Sequence, residues 1–180
     1  VSTRISPMML IQGDLLEKVK TILSRYQIPA GKLALEFSAN AYLTSQLNMT
    51  MTLQSLSEMG VEVILNDFGS GFSSISSLLE LPVDTVKFER LFIWQLESNP
   101  KARVMVDSLT QMAKNLGLKM IAEGVETQHQ LKVLNRADCV YQQGFYYAPT
   151  MEKDLLFQLM DCSLEESKAV LDTAREAVRR

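Results

Sequence analysis

Apolar and polar positions alternate along the chain in two ways: short apolar runs of strand length, and longer stretches with helical spacing. Residues 1–5, 33–37, 61–67, 83–88, 118–122 and 139–142 read as strands. The run Val61, Val63, Ile64 and Leu65, closed by Asn66 and Asp67, suits a strand covered on both faces of a parallel sheet. Residues 14–26, 49–59, 101–116, 127–136 and 152–160 carry helical spacing. In the first of these, Leu15, Leu16, Val19, Ile22 and Leu23 share one face. Gly60 and Gly117 close two of the helices. Gly69 and Gly71 free the backbone before a short helix that Ser73 or Ser74 would cap and Leu81-Pro82 would stop.

Six strands alternating with helices predict a parallel, right-handed α/β arrangement. A closed (β/α)8 barrel needs eight strands and typically about 250 residues. The 180 residues here therefore supply about six βα units of an incomplete TIM-like barrel. Either the chain is a fragment, or the barrel is open and something else covers its strand edges. Residues 1–160 are expected to form the barrel domain and 161–180 an added C-terminal helix. Ser163 and Glu166 make a capping box there, and Leu164, Ser167, Leu171, Ala174 and Val178 line one stripe. Packing on its own domain is the expectation for this helix, and a connector or dimerisation role is the alternative.

The strands also deliver polar groups at their C-terminal ends, where α/β folds carry their chemistry. Arg4 ends the first and Glu36 the second. Asn66 and Asp67 end the third, Lys87 and Glu89 the fourth, and Glu123 and Glu126 follow the fifth. Composition adds little to this picture. The chain is 47% apolar and 22% charged, a globular balance, and its net charge of −3 with no basic run excludes a nucleic-acid footprint. Cys139 and Cys162 sit in no metal or redox spacing and read as reduced thiols. No signal-like start or span of about 18 apolar residues occurs. A cytoplasmic location is expected, alone or as the cytoplasmic part of a membrane-anchored protein. His129 is expected to be solvated, Trp94 partly buried in the core, and Met8, Met9, Met49 and Met51 to fill core gaps or a contact surface.

Three segments carry a family resemblance. NDFGSGFSSISSLLELPVDTVKFER (residues 66–90) resembles the DDFGTG-S-S…LPVD-KID-R stretch of bacterial EAL domains, the cyclic di-GMP phosphodiesterase domains. AEGVET at 122–127 and QQGFYYAP at 142–149 are similar to two further segments of that family, in the same order and spacing. The match runs from residue 1 to about residue 160, without the family's N-terminal portion and its glutamate-alanine-leucine signature. In catalytic members, groups at strand ends hold two divalent metals that activate a water for in-line attack. By this resemblance Glu36, Asp67 and Glu123 stand at metal-binding positions, and Lys87 at that of the lysine that positions the water. Gln143, Glu89 and Arg4 stand where a bound nucleotide is met, and Glu126 where a glutamate braces the glycine loop.

The departures from the pattern decide the expected function. Arg4 replaces a metal-binding asparagine, and an arginine donates only and cannot ligate a cation. Asn66 replaces the aspartate that would bridge both metals, Glu89 an aspartate, and Ala39 a glutamate. The resemblance thus implies a degenerate, catalytically inactive EAL domain with vestigial metal and catalytic residues and no expected cofactor. Such a domain would regulate through a protein partner or by holding cyclic di-GMP without hydrolysis, with a homodimer as a further candidate. The alternative is an active phosphodiesterase that uses Mg²⁺ or Mn²⁺ to hydrolyse cyclic di-GMP to linear pGpG.

Overall fold

A computed structural model of the chain describes residues 1–11, 13–38, 46–69 and 77–178. Six strands form one sheet: β1 Ser2–Arg4, β2 Ala34–Ser38, β3 Glu62–Phe68, β4 Thr85–Phe88, β5 Lys119–Glu123 and β6 Tyr141–Gln143. Each pairs in parallel with its neighbour in the sequence, so the order is β1-β2-β3-β4-β5-β6. A doubly wound sheet would reverse direction at a switch point. An order without reversal is that of a barrel wall, here about three quarters of the eight strands a closed barrel has.

Period-two alternation gives the sheet two different faces. Leu35 and Phe37 of β2, Val63 and Leu65 of β3, Val86 and Phe88 of β4, and Met120 and Ala122 of β5 enter the hydrophobic core. Their alternates include Glu36, Asn66, Lys87 and Glu123, and strand register adds Gln143 opposite Glu123. The helices that cover the apolar face are α1 Pro7–Ile11, α2 Leu15–Arg25, α3 Gln46–Glu58, α4 Ser77–Glu80, α5 Arg90–Trp94, α6 Pro100–Asn115 and α7 Gln128–Arg136; α8 Lys153–Asp161 and α9 Leu164–Val178 follow them. Val19, Leu53, Val106 and Leu134 are among the side chains these helices bury.

Local signals set the helix limits. Asn99 caps α6 by accepting from the Lys101 amide at 3.0 Å, with Pro100 in the first turn. Thr127 and Gln130 form a full capping box on α7, which explains why Gln130 is buried while its neighbour His129 is exposed. Ser163 and Glu166 exchange the same bonds at the start of α9, which lies against α8 and buries Ala174. The short helix α1 was not expected, although Ser6 accepts from the Met9 amide and Pro7 takes the first helical position.

The caps expected of Ser73 or Ser74, Gly71, and the substitution at Ala39 fall outside the described residues. Trp94 corrects one expectation: Phe92 and Ile93 take the buried face of the five-residue α5, which leaves Trp94 39% exposed. The methionines divide, with Met49 buried, Met9 packed against the core, and Met8 and Met51 exposed. Cys139 is buried and Cys162 partly so, both free. Burial pushes the Cys139 thiol up to about 11. Among the described residues no helix is long and apolar enough to cross a membrane.

Candidate functional site

The polar face of the sheet gathers its charges at the C-terminal ends of β2 to β6. Glu36 is 7% exposed, and both of its carboxylate oxygens accept hydrogen bonds. Asn66 Nδ2 donates to its Oε2 at 2.8 Å, and Lys87 Nζ donates to its Oε1 at 3.0 Å. Lys87 is only 3% exposed, and its ammonium also lies 3.8 Å from Glu123 Oε2 and donates to Gln143 Oε1 at 3.5 Å. A buried ammonium is tolerated only when paired in this way. Burial alone would raise the Glu36 carboxyl, but hydrogen bonds from Ser2, Asn66 and Lys87, with the Lys87 charge, hold it below the ordinary glutamate value near 4.5.

A bulge in β3 brings Asp67 to the same face. Leu65 pairs with Val86, yet Phe68 pairs with Phe88, so β3 carries one extra residue against β4. Asp67 absorbs it with φ 59°, a left-handed conformation that aspartate adopts more readily than most residues. Without the shift Asp67 would alternate toward the helices. With it, Asp67 Oδ1 lies 3.6 Å from Arg4 Nη2, at the edge strand. Three carboxylates (Glu36, Asp67, Glu123) thus face two cations (Arg4, Lys87), one at the surface and one buried. Asn66 is wholly buried between them, and its Oδ1 has no donor among the described residues.

Arg4 and Lys87 are unequal counter-charges. The Arg4 side chain is 57% exposed and only in loose contact, so the Arg4–Asp67 pair contributes at most about 1 kcal/mol. Arg4→Ala should therefore lower the melting temperature by no more than about 4 °C. A thermal melt checks this, and a larger loss would mean that Arg4 carries more of the cluster than its exposure allows.

The rim of the site is built from two loops clasped together. Gly124 and Val125 both donate to the Gln143 carbonyl, at 2.8 and 3.0 Å, and Tyr146 donates back to the Val125 carbonyl at 2.9 Å. Arg90, leaving β4, passes directly over Gly124, where a Cβ would meet Arg90 Cγ at 2.4 Å. Its guanidinium bonds Glu126 Oε1 at 2.7 Å and stacks 4.4 Å above the Trp94 ring. A cavity of about 230 Å³ lies here, bounded by Arg90, Glu123, Glu126, Gln143 and Phe145. Glu89 is half-buried, and its amide extends the β3–β4 pairing by a bond to the Phe68 carbonyl at 3.1 Å. Glu126 pairs with Arg90, and the glycine loop it was expected to brace is outside the described residues.

Glu36, Asn66, Lys87, Glu123 and Gln143 are therefore joined in one network, with Asp67 and Arg4 at its margin. Glu126 belongs to the rim, and Glu89 to neither. Two participants were not singled out from the sequence. Ser2 is among the groups that lower the Glu36 carboxyl, and strand alternation two residues before Arg4 would have flagged it. Arg90 shows no sequence signal beyond its place in the KFER segment. At the opposite, N-terminal ends of the strands, Glu62 accepts from Thr85 at 2.7 Å and Lys119 at 3.1 Å, in the position of a stabilising network.

Comparison with known proteins bears on this arrangement. The family profile described as EAL domain matches residues 1–150. The bifunctional diguanylate cyclase/cyclic di-GMP phosphodiesterase MucR of Pseudomonas aeruginosa is 30% identical over 156 residues, 87% of this chain and 23% of that protein. The solved PaMucR phosphodiesterase, a complex with c-di-GMP, superposes with a TM-score of 0.80 at 30% identity, covering 86% of this chain and 63% of that one. The EAL domain of Mycobacterium smegmatis DcpA gives a TM-score of 0.83 at 33% identity, covering 88% and 70%. Klebsiella pneumoniae BlrP1, solved with manganese and cy-diGMP, shares the fold at a TM-score of 0.76 and 22% identity, with 81% and 37% covered. The chain spans about a fifth to two fifths of the length of the curated relatives it matches. Against the solved barrels its six strands form a curled half-barrel.

Proposed function

Since the chain belongs to the EAL domain family, we propose that it is a non-catalytic member acting as a regulatory module, through a protein partner or by holding cyclic di-GMP without cleaving it. The observation that carries this reading is the state of Glu36, whose two carboxylate oxygens are already engaged by the Asn66 amide and the Lys87 ammonium. A manganese or magnesium ion at these strand ends would take Glu36, Asp67 and Glu123 as hard oxygen ligands. Each of them already faces an internal cation: Lys87 for Glu36 and Glu123, Arg4 for Asp67. Two unit positive charges about 4 Å apart repel by roughly 4 kcal/mol at an effective dielectric of about 20. These internal cations, together with Arg4 and Asn66 in place of metal-binding residues, support the metal-free reading.

Of the two modes of regulation, the rim favours a protein contact. Trp94 and Phe145 are exposed there around Arg90, and aromatic residues with arginine are the types enriched at protein interfaces. The second reading, a metal-dependent phosphodiesterase, draws on the phosphodiesterase activity for which MucR is named and on Lys87, Glu36 and Glu123 standing at the matching strand ends. Calorimetric titration with cyclic di-GMP separates the two. The metal-free reading expects the same heat and affinity in Mg²⁺ and in EDTA, including no binding in either. Affinity that rises tenfold or more on adding Mg²⁺, about 1.4 kcal/mol, favours the enzyme.

A further inference from the structure

We infer that the chain binds a second copy of itself head to tail, with α8 of one protomer seated in the groove between α6 and α7 of the next. This goes beyond the regulatory reading and does not depend on the state of the strand ends. The groove has a volume of about 330 Å³ and is lined by Val104 and Val133 together with Arg103, Arg136 and His129; Asp107 is the one acid on its wall. Val104 is 66% exposed, so the groove presents an open apolar wall. Arg103 is held in place, its Nε and Nη2 donating to the Leu96 and Glu97 carbonyls at 2.8 Å each. An arginine fixed in this way loses little freedom when it meets a carboxylate. Neither Arg103 nor Arg136 belongs to a salt bridge among the described residues. Such a groove suits an amphipathic helix edged with acids.

The chain itself carries that helix. None of the nine residues of α8 is buried, although five of them are apolar. Leu156, Phe157 and Met160 share one face by helical spacing, and Met160 is 70% exposed. Glu152, Asp154 and Asp161 edge the helix, against the single Lys153, whose ammonium lies over the Phe157 ring. The acidic helix and the arginine-walled groove are therefore complementary in polarity and in charge. A two-fold contact of α8 with another α8 would instead set like charges against each other. Because ridge and groove lie on different elements, each pairing leaves one of each unused. The contact is heterologous and extends to further copies until a ring closes.

The test is sedimentation velocity of the parent, of Arg136→Glu and of Met160→Lys, each alone and the two variants mixed. Both side chains are exposed, so the variants should melt like the parent. Should Met160→Lys lose its fold, Asp161→Lys takes its place. The parent should self-associate as its concentration rises, and less so in high salt. Each variant alone should associate about tenfold or more weakly than the parent. Mixed in equal amounts, the two should form a one-to-one dimer and nothing larger, because Arg136→Glu keeps the ridge and Met160→Lys keeps the groove. A parent that stays monomeric up to about 1 mM overturns the inference. Association that survives Arg136→Glu, or a mixture no larger than its components, overturns it as well.

Discussion

Lys87→Met should lower the stability of the folded chain by about 3–5 kcal/mol, because it removes one partner of a buried ion pair and leaves the other uncompensated. Methionine keeps much of the lysine stem's volume, so the loss reports the charge. Glu36, 7% exposed, would retain the donor from Asn66 but no cation. The pH dependence gives the prediction its sign. In the parent, the Glu36 carboxyl lies below its ordinary value near 4.5, so its contribution is complete above that value and is lost as pH falls through the lower folded value. In Lys87→Met, burial dominates and lifts the folded value above the ordinary one. The penalty is then full at neutral pH and shrinks as acid protonates the carboxyl. Denaturant midpoints of parent and variant should therefore converge as pH is lowered from about 7 to about 5. A gap that stays constant or widens would show that Lys87 acts through packing rather than through charge.

Much of the site was legible because strand ends are legible. An apolar run followed by an acid, an amide or a lysine marks both the strand and the place where its chemistry emerges, and Glu36, Asn66, Lys87 and Glu123 were found in this way. The bulge at Asp67 was not legible, because a register shift depends on how β3 pairs with β4 and leaves no trace in β3 alone. Nor was the division between the two cations. Arg4 and Lys87 both stand toward strand ends, but Arg4 ends an edge strand with all three residues exposed, whereas Lys87 is the penultimate residue of one buried throughout. That contrast is tertiary, and it moves the principal counter-charge from Arg4 to Lys87. The burial of Gln130 is local by contrast, since the capping box draws its side chain inward to the amides of Glu126 and Thr127.

The largest effect expected on activity is its absence. A divalent metal contributes several kcal/mol of transition-state stabilisation, and each 1.36 kcal/mol is a factor of ten in rate. On the metal-free reading proposed above the site forgoes that contribution, so cyclic di-GMP turnover should fall at least about 10³-fold below that of a metal-loaded phosphodiesterase. Remote binding of the dinucleotide cannot restore it, because uniform binding does not lower the chemical barrier.

The most direct measurement is chromatographic detection of linear pGpG after the parent chain is incubated with cyclic di-GMP in Mg²⁺ and in Mn²⁺, with Glu36→Ala prepared identically as the control for contaminants. Internal cations in place of metal predict the same trace of product from parent and Glu36→Ala, unchanged by EDTA. Linear dinucleotide formed steadily by the parent, absent with Glu36→Ala and abolished by EDTA, would contradict that account.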